Sequence, residues 1–246
     1  RSRTRVASID TSARVVNIEG GEALPYSELV LALGAELIRP PISGDAADDV
    51  LGVNDLDDYR RFQDLLAAKG ASKIAIIGAG LIGCEFTNDL VNGGFKVEAV
   101  DPMGWCLPTL LPERSGRAVQ AALEAKGATF HFGPLATEVN RVGEGYVVTL
   151  DNGNTIEADA VLCAVGVRPR TTLASDAGVE VNRGIVTDRE LRTNVPNVYA
   201  MGDCAEVAGH VLVYVAPLMA CARALAATLA GEPTEVSYPP MPVAIK

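Results

Sequence analysis

Residues 73–86 read KIAIIGAGLIGCEF. The apolar run over 73–77 predicts a strand of the kind buried on both faces of a parallel sheet. Gly78, Gly80 and Gly83 then fall in the spacing GxGxxG, and LIGCEFTNDLVN, residues 81–92, predicts a helix ended by Gly93-Gly94. A lone GxGxxG is weak evidence, and the strand before and helix after it are its required context. Gly78 permits a tight turn, Gly80 lets the backbone approach a pyrophosphate, and Gly83 lets helix and strand pack closely. The helix N-terminus then aims free amides and its positive dipole end at a phosphate. Asp101 ends the next strand, KVEAVD, where a carboxylate can accept from both hydroxyls of an adenine ribose. The same charge repels a 2′-phosphate, and no Arg or Lys follows it closely. The motif therefore favours NAD(H) over NADP(H).

Downstream, ERSGRAVQAALEAKG predicts a second helix and ATFHFG a third strand, giving a βαβαβ order. YVVTL and TIEAD flank Asp151-Asn152-Gly153-Asn154, a hairpin signal. AVLCAVG is a buried strand ending in glycine. Upstream, TRVASID and ARVVNIE predict antiparallel strands, Gly20-Gly21 a turn, and SELVLALGA a buried apolar strand ending in glycine. Pro40-Pro41 reads as a linker, and Asn54 or Asp55 can cap a helix running to about Lys69. VVNIEGGEALPYSELVLALGA and VVTLDNGNTIEADAVLCAVGV share one pattern that sets Gly34 on Gly166. A fingerprint for the first copy would lie upstream of Arg1. The sequence is thus expected to be a fragment lacking an N-terminal βαβ unit.

The chain has 246 residues, of which 48% are hydrophobic, enough for one large or two smaller cores. Its net charge of −10 repels phosphate backbones and argues against nucleic acid as a partner. Five cysteines without a CxxC or other close pair argue against a disulfide framework or a zinc site, and for a cytoplasmic setting. Cys84, Cys163 and Cys221 read as core packing. The longest apolar stretch, residues 211–222, is too short to span a bilayer and contains Pro217.

The stretch TNVPNVYAMGDCAE, residues 193–206, resembles the flavin-contacting motif of the FAD-dependent pyridine nucleotide-disulfide oxidoreductases. LVLALGA and AVLCAVGVRPRT resemble that family's two glycine-ended connecting strands, and GAGLIGCE its NAD fingerprint. GAGLIGCEF, LRTNVPNVYAMGDCAEV, the run from YVAPLMACARALA and the closing PMPVAIK are most similar to its bacterial rubredoxin–NAD reductase branch.

The resemblance implies an α/β fold of two Rossmann-like, three-layer dinucleotide-binding domains. The expected division is an FAD-binding segment over 1–40, an NAD-binding domain over 41–158 and a closing FAD-binding segment over 159–246. A C-terminal interface domain is expected to be absent. The resemblance places FAD contacts at the Val6 backbone, Glu85, the Asp203 carboxylate on the ribitol, Val215 at a helix N-terminus and Lys246. By position alone Glu85 is expected in a first helical turn, favourable for any carboxylate. Cys204 would lie near the flavin without redox work. The implied activity is NADH-dependent reduction of FAD and electron delivery to rubredoxin or a similar small iron carrier. Sibling acceptors, namely ferredoxin, a nitrite reductase centre or a peroxide, are the alternative. An NADH-sensing flavin module is the non-enzymatic one. CxxC is absent over 73–158, unlike in thioredoxin reductases.

Overall fold

A computed structural model describes residues 2–238 and 240, so Lys246 lies outside the described residues. The chain divides into two compact units. One is built from the residues up to Glu36 and those from Val167 onward, the other from Leu37–Gly166. Each has its own apolar core.

In the first unit, β1 (Val6–Asp10), β2 (Val15–Ile18) and β3 (Ala23–Pro25) form an antiparallel sheet. Strands β4 (Leu29–Leu31) and β5 (Ala35–Leu37) follow. The buried strand expected over SELVLALGA is only three residues long, because Gly34 at φ +70° turns the chain into β5.

In the second unit, α1 (Leu56–Lys69) starts at Asp55, whose side chain accepts from the Asp57 and Asp58 amides. Then come β6 (Lys73–Ile77), α2 (Leu81–Asn92), β7 (Lys96–Asp101), α3 (Glu113–Glu124) and β8 (Thr129–Phe132). An antiparallel meander follows: β9 (Ala136–Val142), β10 (Gly145–Leu150) and β11 (Thr155–Ala158). Strand β12 (Ala160–Cys163) returns to pair in parallel with β6, giving the sheet order β12-β6-β7-β8. That pairing places β12 with the second unit. The sheet is covered on both faces, which is why the last four residues of β6 and all of β12 are buried and apolar. One face packs on helices through Phe62, Leu66, Leu90 and Val97. The other packs on the meander through Val139, Val148 and Ile156.

Back in the first unit, β13 (Val167–Pro169) pairs with β5. Helix α4 (Thr172–Asp176), β14 (Ile185–Thr187), β15 (Val198–Ala200), β16 (Ala205–Val207) and α5 (Val215–Leu229) complete the described elements. Strand β15 pairs in parallel with β4, and β14 with β16. The repeat is therefore structural. Each unit has a three-stranded antiparallel sheet, then a strand that joins a parallel pair, then a glycine of positive φ, Gly34 or Gly166. Both units have the α/β, Rossmann-like form.

Candidate functional site

In the second unit, β6 delivers Gly78 at the carboxyl edge of the parallel sheet, the edge where doubly wound folds bind ligands. Gly78 has φ +111°, and a Cβ there would lie 2.5 Å from the Ala164 carbonyl oxygen. A Cβ on Gly83 would lie 2.1 Å from the Gly78 carbonyl oxygen. These two glycines hold helix and sheet together. Gly80 is different: an added Cβ would meet nothing within 4 Å. It stands at the N-cap of α2, which has neither a side-chain cap nor an acidic residue in its first turn. Uncapped amides thus face open space, and a phosphate group fits that cradle.

Asp101 ends β7 and is 8% exposed. Its Oδ2 accepts from the Ala79 amide at 2.7 Å and its Oδ1 from the Met103 amide at 2.8 Å. The carboxylate is therefore the brace of the glycine turn. Each oxygen still has a lone pair for a further donor, so bracing the turn and meeting ribose hydroxyls are compatible. The placement of Glu85 needs correction. Helix α2 begins at Leu81, so Glu85 is half-buried in the second turn, where the dipole acts on it less.

In the first unit, β15 is fully buried, and Met201 follows it, its amide donating to the Leu31 carbonyl at 3.0 Å. Gly202, at φ +75°, turns the chain into a 3-10 turn over Gly202–Cys204. A Cβ on Gly202 would lie 3.4 Å from Leu218 Cδ1, so this turn packs on the start of α5. The structure thus brings half-buried Asp203 and exposed Val215, the first residue of α5, to one locality. Tyr214, the N-cap, contributes no side-chain cap, so the α5 amides are free to meet an acceptor. Val6 stands at the start of β1 opposite Ile18, and none of these contacts includes it.

Two cysteines do more than the sequence suggested. Cys204 Sγ accepts from the Leu33 amide at 3.2 Å and lies 3.3 Å and 3.5 Å from the Met201 and Leu31 carbonyls. It ties the Asp203 turn to the loop after β4, and burial pushes its thiol pKa up. Cys84 shares a buried cluster with Cys106, a neighbourhood invisible in sequence because the two are distant along the chain. Among the described residues no group of three His, Cys, Asp or Glu could hold a metal ion. No helix among them is long and apolar enough to cross a membrane.

The sequence model of the family described as pyridine nucleotide-disulphide oxidoreductase matches residues 1–226. The chain belongs to this family. Among pyridine nucleotide-disulphide oxidoreductases, it is 56% identical over 247 residues to the rubredoxin-NAD(+) reductase of Alcanivorax borkumensis, covering 100% of this chain and 64% of that protein. It is 47% identical over 250 residues to the rubredoxin-NAD(+) reductase of Acinetobacter baylyi, covering 100% and 64%. Its fold matches the crystal structure of a ferredoxin reductase from Rhodopseudomonas palustris with TM-score 0.90 at 29% identity, covering 96% of this chain and 60% of that one. The chain therefore spans about 64% of the length of the two curated reductases.

Proposed function

We propose that the intact protein is an NADH-dependent flavoprotein reductase that passes electrons from NADH through FAD to rubredoxin in the cytoplasm. The observation that carries this reading is identity with two rubredoxin-NAD(+) reductases along the whole of this chain. The five free, buried cysteines accord with a reducing compartment. Bound FAD would supply two-electron acceptance from a nicotinamide and one-electron release to an iron centre.

The residues have separate tasks. Gly80 admits the NADH pyrophosphate to the α2 amides, and Gly78 and Gly83 hold those amides in place. Asp101 receives the adenine ribose hydroxyls and repels a 2′-phosphate. Glu85 orients the nicotinamide end and exchanges no proton. Asp203 holds the ribitol of FAD, and the Val6 backbone its adenine. The α5 N-terminus at Val215 favours negative charge on the flavin. Lys246 is assigned to FAD by resemblance alone.

The test is steady-state reduction of purified rubredoxin by the full-length protein. NADH should drive it well above the rate of oxygen reduction. Failure to reduce rubredoxin overturns the acceptor, and a preference for NADPH overturns the role of Asp101. A sibling reading, with ferredoxin as acceptor, is favoured by the match to the Rhodopseudomonas ferredoxin reductase. Faster turnover with ferredoxin than with rubredoxin would decide for it.

A further inference from the structure

Cys84 follows Gly83 on α2, and Cys106 lies in the loop that follows Asp101. Both are sealed from solvent, at 1% and 0% exposure. They share one apolar cluster with Ala79, Leu107, Leu123 and Ala128. The Ala79 carbonyl gathers the two segments: it accepts from the Leu107 amide at 2.8 Å and from the Cys84 thiol at 3.3 Å. The two cysteines are thus neighbours in this cluster, and each thiol shifts the ionisation of the other.

The loop that carries Cys106 is held under strain. Leu107 is fully buried at φ +55°, a conformation that non-glycine residues seldom adopt. Beside it, α3 approaches so closely that a Cβ on Gly116 would lie 2.1 Å from Trp105 Cδ1. The pair is chemically unequal. The neighbouring Cys106 thiol holds Cys84 below the usual thiol range, and the Leu107 amide adds to this. The same neighbour, together with burial, pushes Cys106 far up. Cys84 is thus the nucleophile of the two.

We propose that Cys84 and Cys106 form a reversible disulfide that ties the nucleotide-binding turn to the loop after Asp101. The oxidant is a hydroperoxide. The Cys84 thiolate attacks the O–O bond and becomes a sulfenic acid, and the alcohol or water departs. The Cys106 sulfur then displaces the hydroxyl as water and closes the S–S bond. Two electrons pass from the thiols to the peroxide, and both thiol protons leave in the products. A dithiol reductant reverses the step by exchange. Since neither thiol is exposed, oxidation requires the loop to open, and it is slower than for a surface thiol.

The disulfide itself is independent of any function. Its effect on the site rests on the reading that NADH binds at Gly80. The test uses the reduced full-length protein, treated with hydrogen peroxide, alkylated, digested and analysed by mass spectrometry. A Cys84–Cys106 linked peptide is expected, and it should vanish after dithiothreitol. Its absence, while methionines on the same chain are oxidised, overturns the proposal. NADH titration before and after oxidation should show affinity falling about tenfold and returning on reduction. In Cys106→Ser, peroxide should leave affinity unmoved. A linked peptide with unchanged affinity overturns the switch. A linked peptide in a protein that binds no NADH when reduced supports the disulfide and overturns the nucleotide reading instead.

Discussion

The three fingerprint glycines make different physical demands, and two alanine variants should separate them. Gly83→Ala sets a methyl 2.1 Å from the Gly78 carbonyl oxygen and 2.9 Å from its carbon, both backbone atoms. No side chain can swing away, so α2 must move off the sheet by about 1 Å, a change at the upper end of overpacking costs, ~3 kcal/mol. At about 2–4 °C per kcal/mol for a chain of this size, the melting temperature should fall by roughly 10 °C. Gly80→Ala adds its methyl to open space, and the backbone there, at φ −73° and ψ −166°, suits alanine. Reduced unfolded-state freedom contributes about 0.4–1 kcal/mol and offsets the poorer N-cap, so stability should barely move. On the proposed reading, the methyl instead stands where the pyrophosphate must approach. Loss of about 1.4 kcal/mol there is a tenfold rise in the NADH dissociation constant. Circular dichroism melts and NADH fluorescence titrations on the same full-length preparations read both quantities. If Gly83→Ala melts like the parent, or Gly80→Ala binds NADH like the parent, the division of labour is refuted.

Asp101→Asn keeps the shape of the brace but turns an amide N–H toward a backbone N–H, leaving a buried donor unpaired. Stability should drop by about 2 kcal/mol on denaturant titration, and the NADPH-to-NADH ratio of kcat/KM should rise. Asp55→Ala removes the cap that accepts from the Asp57 and Asp58 amides at 2.9 Å and 2.8 Å. It should cost about 1 kcal/mol of stability, with the KM for NADH unchanged. Asp159 Oδ2 accepts from the Ser72 and Lys73 amides at 2.7 Å and 2.9 Å, and the Ser72 amide does most to hold its carboxyl below the usual range. A carboxyl whose folded pKa is depressed contributes fully above its ordinary pKa, and the contribution drains as pH falls through the folded value. Urea unfolding between neutral and acid pH should therefore show a shallower acid loss in Asp159→Asn than in the parent.

The segment from β6 to β7 was legible in sequence because each of its signals has one local cause. Strand β6 is apolar because both faces of its sheet are covered, and α2 ends where Gly93 and Gly94 follow Asn92. Strand β9 escaped notice. In ATEVNRV only Val139 is fully buried, so neither an apolar run nor strict alternation marks it. Its place is set by pairing with β10. The start of α2 at Leu81 was legible as well, but Glu85 is its fifth residue and so lies in the second turn, not the first. The fingerprint glycines and Asp101 could be named from spacing, but the two amides that Asp101 holds could not. Nor could the burial of Glu206 on β16, whose carboxylate accepts from the Asn182 side chain and the Arg183 and Gly184 amides. Such bonds join segments whose proximity is a product of the fold.

The two units solve one mechanical problem with different chemistry. In each, a loop leaves the carboxyl end of a parallel strand, and a buried side chain at the end of the neighbouring strand, or in the turn that follows it, collects one of its backbone amides. In the second unit this is Asp101, which takes the Ala79 amide of the loop after β6. In the first it is Cys204, which takes the Leu33 amide of the loop after β4. An ionised carboxylate makes a hydrogen bond roughly twice as strong as a neutral acceptor, while a thiol is a weak one. The carboxylate stiffens its loop and also leaves a negative charge there, which in the proposed function meets ribose hydroxyls and repels a 2′-phosphate. The thiol stiffens its loop more weakly and leaves no charge. In the first unit the charge stands next door, on Asp203, which the same turn holds against α5. On the proposed reading, bracing and recognition are thus fused in one residue where the GxGxxG turn lies, and divided between adjacent residues where the Gly202–Cys204 turn meets α5. A change at Asp101 must disturb both properties at once, whereas Cys204 and Asp203 can be altered one at a time.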